Sequence, residues 1–437
     1  MDLILCTLAL SLLLLPGIAL WQRLSPDQPG PERAITGATF ALALAVCAGY
    51  VLTYLSLDIF ITAWGVAAAV GAFSIIRRWG SSSRRVAQVM APHGWLLGLL
   101  FFALVVRLLP TFAHTYPRGW DPYFHLLLAQ KILGAGGHIS DWLPHEAIPL
   151  NYPTGSHLLL AALNRVTHVP LHALFKLLLA LFGVLTVAQV FALVSVSTGD
   201  RRVALLSAAS YALLPAYGSI GYYRWGGLPN LMGMLLLLGA LTTLARAPAS
   251  RHRLLLPAFF VGICLLNHHV LASAVLLSLI LLVVLAALPR ERPRATVLLH
   301  AALISLAPGA LYFLPRLRRG YSVLDTGLLK YGEPVHTAGA ILSKVGYGYI
   351  ALVLGGAALL CWSAVRRPRS PGAAQSAPVG RVLLLSCGAL LLLFCLFEYG
   401  GRLLAIHLLG RPIAPFTPSR FLTDAITLMA VFPGLLL

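Results

Sequence analysis

Charge is what this chain has least of. Only 10% of its 437 residues are charged, against about 25% in a typical soluble domain. Acids are scarcer still, 13 Asp and Glu beside 32 Lys and Arg. With 59% hydrophobic residues in long runs along the whole length, a soluble globular fold is excluded, because its interior has no room for so much apolar surface. The runs are continuous rather than alternating, which argues against a β-barrel. The six cysteines all lie inside apolar runs, without the spacing of a disulfide scaffold or a zinc site. No Walker loop, nucleotide fingerprint or protease triad is present, and the basic loops are too short for a nucleotide-binding domain. Any chemistry here needs a substrate activated beforehand and delivered through the membrane.

What remains is a polytopic helical membrane protein. A crossing helix needs about 20 apolar residues, and on that measure the sequence predicts about thirteen spans. They cover 2–21, 35–56, 59–76, 95–113, 170–198, 203–219, 228–245, 254–270, 270–288, 298–314, 347–365, 382–400 and 421–437. Residues 2–21 lack the basic start and the small-residue cleavage site of a signal peptide, so they read as a first span. Residues 35–76 read as a hairpin turning near Leu57 and Asp58.

The excess charge of +19 is laid out by side. Alternating spans place 22–34 and the loops carrying Arg77, Arg78, Arg84, Arg85, Arg201, Arg202, Arg246, Arg290 and Arg366 on one face, with 18 basic and 4 acidic residues in all. That face is expected to be cytoplasmic. The charge therefore orients a membrane protein in its lipid bilayer, and nucleic acid is not a partner. The opposite, exocytoplasmic face receives most of the acids and three long loops, 114–169, 316–346 and 401–420. Two apolar stretches in the first loop, 123–134 and 156–166, are too short to span and are expected to lie along the interface as amphipathic helices.

Chemistry-bearing residues gather in those outer loops. In "GWDPYFHLLLAQ" (119–130), Asp121 precedes a proline, which suits a helix start. The same carboxylate, held at a helix N-terminus beside Trp120, Tyr123 and His125, suits a general base or a metal ligand. In "GYYRWGGLPN" (221–230), Arg224 and Trp225 precede two glycines that allow close backbone approach, and Pro229 can start a helix whose N–H groups favour an anion. The alternative is a tight turn with an interfacial anchor. "NHH" interrupts an apolar run at Asn267, His268 and His269. Polar groups there are costly and often functional, but adjacent histidines diverge on a helix, which argues against a two-histidine metal site. Arg420, in "PFTPSRF" (415–421), suits bidentate phosphate binding or snorkelling to lipid headgroups. Glu333 and Asp325 are the acids of the second long loop.

"WDPYFHLLLAQKI" (120–132) resembles the first outer-loop motif of the catalytic subunits of oligosaccharyltransferases, where an Asp-Pro-aromatic-aromatic-Asn/His run follows the first span. That family has the GT-C fold and takes sugars from polyprenyl phosphate or diphosphate carriers without a soluble nucleotide donor. The similarity covers roughly 95–437, the GT-C-like module, with 1–94 as extra N-terminal spans. It puts "GYYRWGGLPN" in the second outer loop, "NHH" in the third and "TPSRF" at the tenth span. By this resemblance Asp121 is the catalytic or metal-holding acid and Arg420 binds the carrier phosphate, with Arg224, His268 and His269 on the donor. Trp120, Tyr123, His125, Trp225 and Glu333 would line the substrate.

The chain departs from the pattern in three ways. Its second outer loop lacks the family's acidic pair, so a divalent cation (Mg or Mn) would rest on Asp121 alone. It lacks the WWDYG acceptor-binding motif and a soluble C-terminal domain, so transfer to asparagine is not expected. Three spans precede the match, and an end at Leu437 inside an apolar run reads as a truncation. The resulting expectation is a membrane glycosyltransferase that moves a sugar from a polyprenyl-linked donor to an acceptor on the exocytoplasmic side. Its rivals are a transporter or lipid flippase, which needs polar groups near the midplane, and a non-catalytic scaffold subunit.

Overall fold

The computed structural model describes residues 2–246, except 27, 29, 80–93, 118–120, 146–149, 151 and 214–225; beyond them it describes scattered positions such as 259, 260, 263, 329–331, 353 and 413–415. The described part is helical. In chain order come α1 (Asp2–Leu24), α2 (Gly30–Leu52), α3 (Leu57–Trp79), α4 (Gly94–Ala113), α5 (Asp121–Ala135), α6 (Gly155–Thr167), α7 (Leu171–Thr198), α8 (Arg201–Leu213) and α9 (Leu228–Arg246). Among the described residues one antiparallel pairing joins β1 (Leu329–Tyr331) to β2 (Ile413–Pro415), with Lys330 opposite Ala414. It links two segments that the sequence assigns to separate outer loops.

Five of these helices are long and apolar enough to cross a membrane: Ile4–Leu24, Gly30–Leu52, Leu57–Arg77, Leu171–Thr198 and Leu228–Ala245; Gly94–Leu109 is a shorter apolar helix. The chain is thus a multi-pass membrane protein. The predicted spans beyond residue 246 lie outside the described residues. The hairpin expected over 35–76 turns at Thr53–Ser56, where Ser56 Oγ accepts the Ile59 N–H at 3.0 Å and caps α3. At α8 the Asp200 carboxylate accepts the Arg202 N–H at 2.8 Å, and Gly199 ends α7 with φ 73°.

Lipid tails are as apolar as leucine, so helices here associate through close packing and hydrogen bonds rather than through water release. Both are present. A Cβ on Gly17 of α1 would stand 2.2 Å from Ala41 Cα of α2, so only glycine permits that approach. Thr39 of α2 donates to Gln189 of α7 at 2.9 Å, and Gln189 donates to Thr242 of α9 at 2.7 Å. All three side chains are buried. The ladder ties α2 to α7 and α9, the helices it packs against.

Cross-element contacts sort the helix ends into two faces. On one, the α2–α3 turn meets the end of α5: Leu57 N–H donates to Gly136 O at 2.7 Å and His138 N–H to Thr53 O at 2.9 Å. Asp58 pairs there with Arg165 of α6 at 3.2 Å, both exposed. On the other, the buried Glu32 carboxylate accepts Ser195 Oγ at 2.7 Å and pairs with Arg201 at 3.2 Å. Ends that alternation assigns to one side do meet one another.

The two short helices of the first long loop form where the sequence expects them. Their setting differs. Every residue from Gly155 to Leu163 is buried, so α6 is no helix floating on headgroups. It lies among α2, α5 and α7, whose side chains cover the face that an amphipathic reading would leave wet.

Candidate functional site

Helix α5 begins at Asp121, as the Asp-Pro dipeptide suggests. Pro122, His125, Leu128, Ala129 and Ile132 form its buried face; their spacing follows one side of a helix. Asp121 is half-buried at the edge of that face. Tyr123 and Phe124 point away from it, with Tyr123 61% exposed. A carboxylate at this N-terminus sits where unpaired N–H groups and the helix dipole favour negative charge.

Gly226, at the end of the segment that the sequence assigns to the second outer loop, reaches the same place. Gly226 has φ +80° and lies against Pro122. A Cβ there would stand 2.2 Å from Pro122 Cγ and 2.4 Å from its Cδ. Positive φ and the lack of room both demand glycine. From this turn α9 starts, with Leu228 N–H donating to Gly226 O and Leu231 N–H to Gly227 O, both at 2.9 Å.

Beneath Asp121 lies a buried imidazole pair. His157 Nε2 and His125 Nδ1 are 3.0 Å apart, one ring donating and the other accepting. His125 is 4% exposed and His157 1%. The pair is walled by aromatic rings. Tyr152 lies 5.8 Å from His125 and 5.6 Å from His157, and Phe175 of α7 lies 6.1 Å from His125. Phe124 extends the cluster to Trp142 at 5.1 Å and Tyr152 at 5.4 Å. Burial pushes the His157 ring well below the usual histidine value of 6.5, and neighbouring His125 pushes it further; the Thr154 backbone opposes them. His157 is therefore neutral at physiological pH. Its Nδ1 leans on that backbone without reaching full hydrogen-bond geometry.

Of the residues that sequence singles out, Asp121, Tyr123 and His125 share α5. Trp120, Arg224, Trp225, His268, His269, Glu333 and Arg420 lie outside the described residues, as does Asp325. His125, grouped with the substrate-lining residues, turns inward and bonds His157. His157, Tyr152 and Gly226 as the partner of Pro122 escaped sequence reasoning. For His157 the one available signal was a polar residue near the start of an otherwise apolar helix. Among the described residues no three His, Cys, Asp or Glu converge as a metal site.

Comparison with known proteins gives a family and a fold. The model of a family of unknown function, DUF6541, matches residues 10–348. No curated protein matches the chain in sequence. Among solved structures it is similar to the archaeal oligosaccharyltransferase AglB from Archaeoglobus fulgidus, in complex with an inhibitory peptide and a dolichol-phosphate. The TM-score is 0.50 at 14% identity, over 78% of this chain and 50% of that one. This chain spans about half the length of AglB, and the likeness is one of fold.

Proposed function

The chain belongs to the DUF6541 family, and from the geometry around Asp121 we propose that it is a membrane glycosyltransferase using a lipid-linked sugar donor. The observation that carries the reading is the seating of Gly226 on Pro122. It docks the second outer segment on the helix start that bears Asp121, within a fold like that of an oligosaccharyltransferase. Arg224 and Trp225 immediately precede Gly226 in the sequence, which favours a site shared between the two segments. AglB is described with dolichol-phosphate, a carrier of the chemical class this reading requires.

In the proposed reaction the donor is a polyprenyl phosphate or diphosphate sugar on the exocytoplasmic side. An acceptor hydroxyl attacks the anomeric carbon, and the bond from that carbon to the phosphate oxygen breaks. Asp121 takes the acceptor proton, and the phosphate leaves with the electron pair. Arg420, with Arg224 and the His268–His269 pair, stabilises the charge growing on the phosphate, where positioned cations lower the barrier most. With Asp121 as the base and no side chain assigned as a covalent nucleophile, the reading is a single displacement with inversion. Tyr123 is exposed two residues along α5 from Asp121 and, with Trp120, Trp225 and Glu333, belongs to the proposed sugar wall.

Full-length protein in liposomes, given a radiolabelled polyprenyl-phosphate hexose and its diphosphate counterpart, should release or transfer the sugar. Loss of a positioned acid or base costs about a hundred- to ten-thousand-fold, so Asp121→Asn should fall by at least ~100-fold with its melting temperature kept. Wild-type turnover in that variant removes Asp121 from the chemistry. A wild-type protein that turns over neither donor sinks the proposal and favours transport or a scaffold.

A further inference from the structure

We propose that His157 is a positioning residue for Asp121, holding the helix that carries it through the hydrogen bond to His125. The inference rests on the function proposed above for its bearing on catalysis, but its geometry stands alone. His125 is the one polar residue on the buried face of α5; Pro122, Leu128, Ala129 and Ile132 are its neighbours there. Apolar packing has no direction of its own. A directed bond between two rings does not tolerate slippage. His157 is anchored in α6, whose residues Gly155–Leu163 are all buried. Asp121 stands four residues before His125, one turn away on the same side of α5. Fixing His125 therefore fixes where the Asp121 carboxylate is presented.

The same bond makes the arrangement sensitive to acid. It needs one lone pair between the two rings. A proton added to His157 has to be carried inside this buried setting, which disfavours the docked ring, and a second proton on His125 leaves two donors facing each other at 3.0 Å. The His157 ring sits well below its usual 6.5 when docked, from burial first and His125 second. Undocked, it returns towards that value. Docking is therefore complete above about 6.5 and weakens as pH falls below it, down towards the depressed value of the docked ring.

Among the described residues, these titratable groups lie on the elements around the pair. Tyr152 contacts both rings, and Asp121 lies on α5 itself. On α7, Lys176 donates to His114 O at 2.6 Å and His172 contacts Tyr116. Tyr50 of α2 meets His138, and Asp58 of α3 pairs with Arg165 of α6. Of all these, the one charge-bearing neighbour that acts on His157 is His125.

Spin labels on non-natural side chains at positions 123 and 166, both exposed, test the idea in the full-length protein. Their separation is to be measured at ~pH 8 and ~pH 5, the range in which histidine titrates. Wild type should give one narrow distance at the higher pH and a broad distribution at the lower. His157→Ala should be broad at both. His157→Gln keeps a neutral polar group facing His125 and should be narrow at both. In the sugar assay, His157→Ala should lose at least ~10-fold in kcat with little change in donor KM, and His157→Gln should recover it. An unchanged wild-type distribution on acidification overturns the proposal, as does a narrow His157→Ala or a broad His157→Gln. The distances need no turnover. A pH-responsive lock in a protein that transfers no sugar refutes the glycosyltransferase and keeps the lock.

Discussion

At Gly226 the space for a single methyl group is missing. An alanine there meets the Pro122 ring at 2.2 Å and must also hold φ +80°. Strained backbone of this kind costs about 1–3 kcal/mol, and overpacking adds about as much. Gly226→Ala should therefore lower the melting temperature by several degrees. Adding Pro122→Ala relieves the clash and should restore part of the loss, leaving the part due to φ. An alanine variant as stable as wild type contradicts the contact. Asp121 was legible in the sequence, because Asp before Pro between apolar runs marks a helix start. His157 was not. Its partner lies 32 residues away, and a lone histidine among leucines looks like any buried polar residue. The roles of Arg420, Arg224 and Glu333 still rest on the sequence and the family resemblance.

At the scale of elements, a run of apolar residues long enough to cross a membrane can hardly be anything but a helix, since its backbone must satisfy itself. That is why α1, α2, α3, α7 and α9 lie within a few residues of their sequence-based positions. Their partners were hidden. Thr39, Gln189 and Thr242 sit in three separate spans, and nothing in their spacing announces the ladder they form. Such bonds contribute about 0.6 kcal/mol on average and up to ~1.7 in double-mutant cycles. Thr39→Val and Gln189→Leu, alone and together, should show a coupling of about that size in detergent unfolding. Purely additive effects remove the ladder from what holds α2 to α7. The buried setting of α6 was equally unreadable, because its composition suits an interface and only the packing of α2 and α7 shows that it is covered.

At the scale of the molecule, the bundle has two ends, and each carries its own polar anchors. Glu32 with Ser195 and Arg201 secures one. The α2–α3 turn, Asp58–Arg165 and the imidazole pair secure the other, where α5 presents Asp121. The fold resembles that of AglB. A shared fold leaves the chemistry of its site open. The central claim is that the Asp121 carboxylate and the Arg420 guanidinium meet at one lipid-borne phosphate. The most direct measurement is cross-linking by a short bifunctional thiol reagent in membranes, in a chain stripped of native cysteines. Cysteines at 121 and 420 should link, and added polyprenyl phosphate should suppress the product. If that pair stays unlinked while a control pair at 58 and 165, adjacent and exposed, reacts, the two residues serve different places and the account fails.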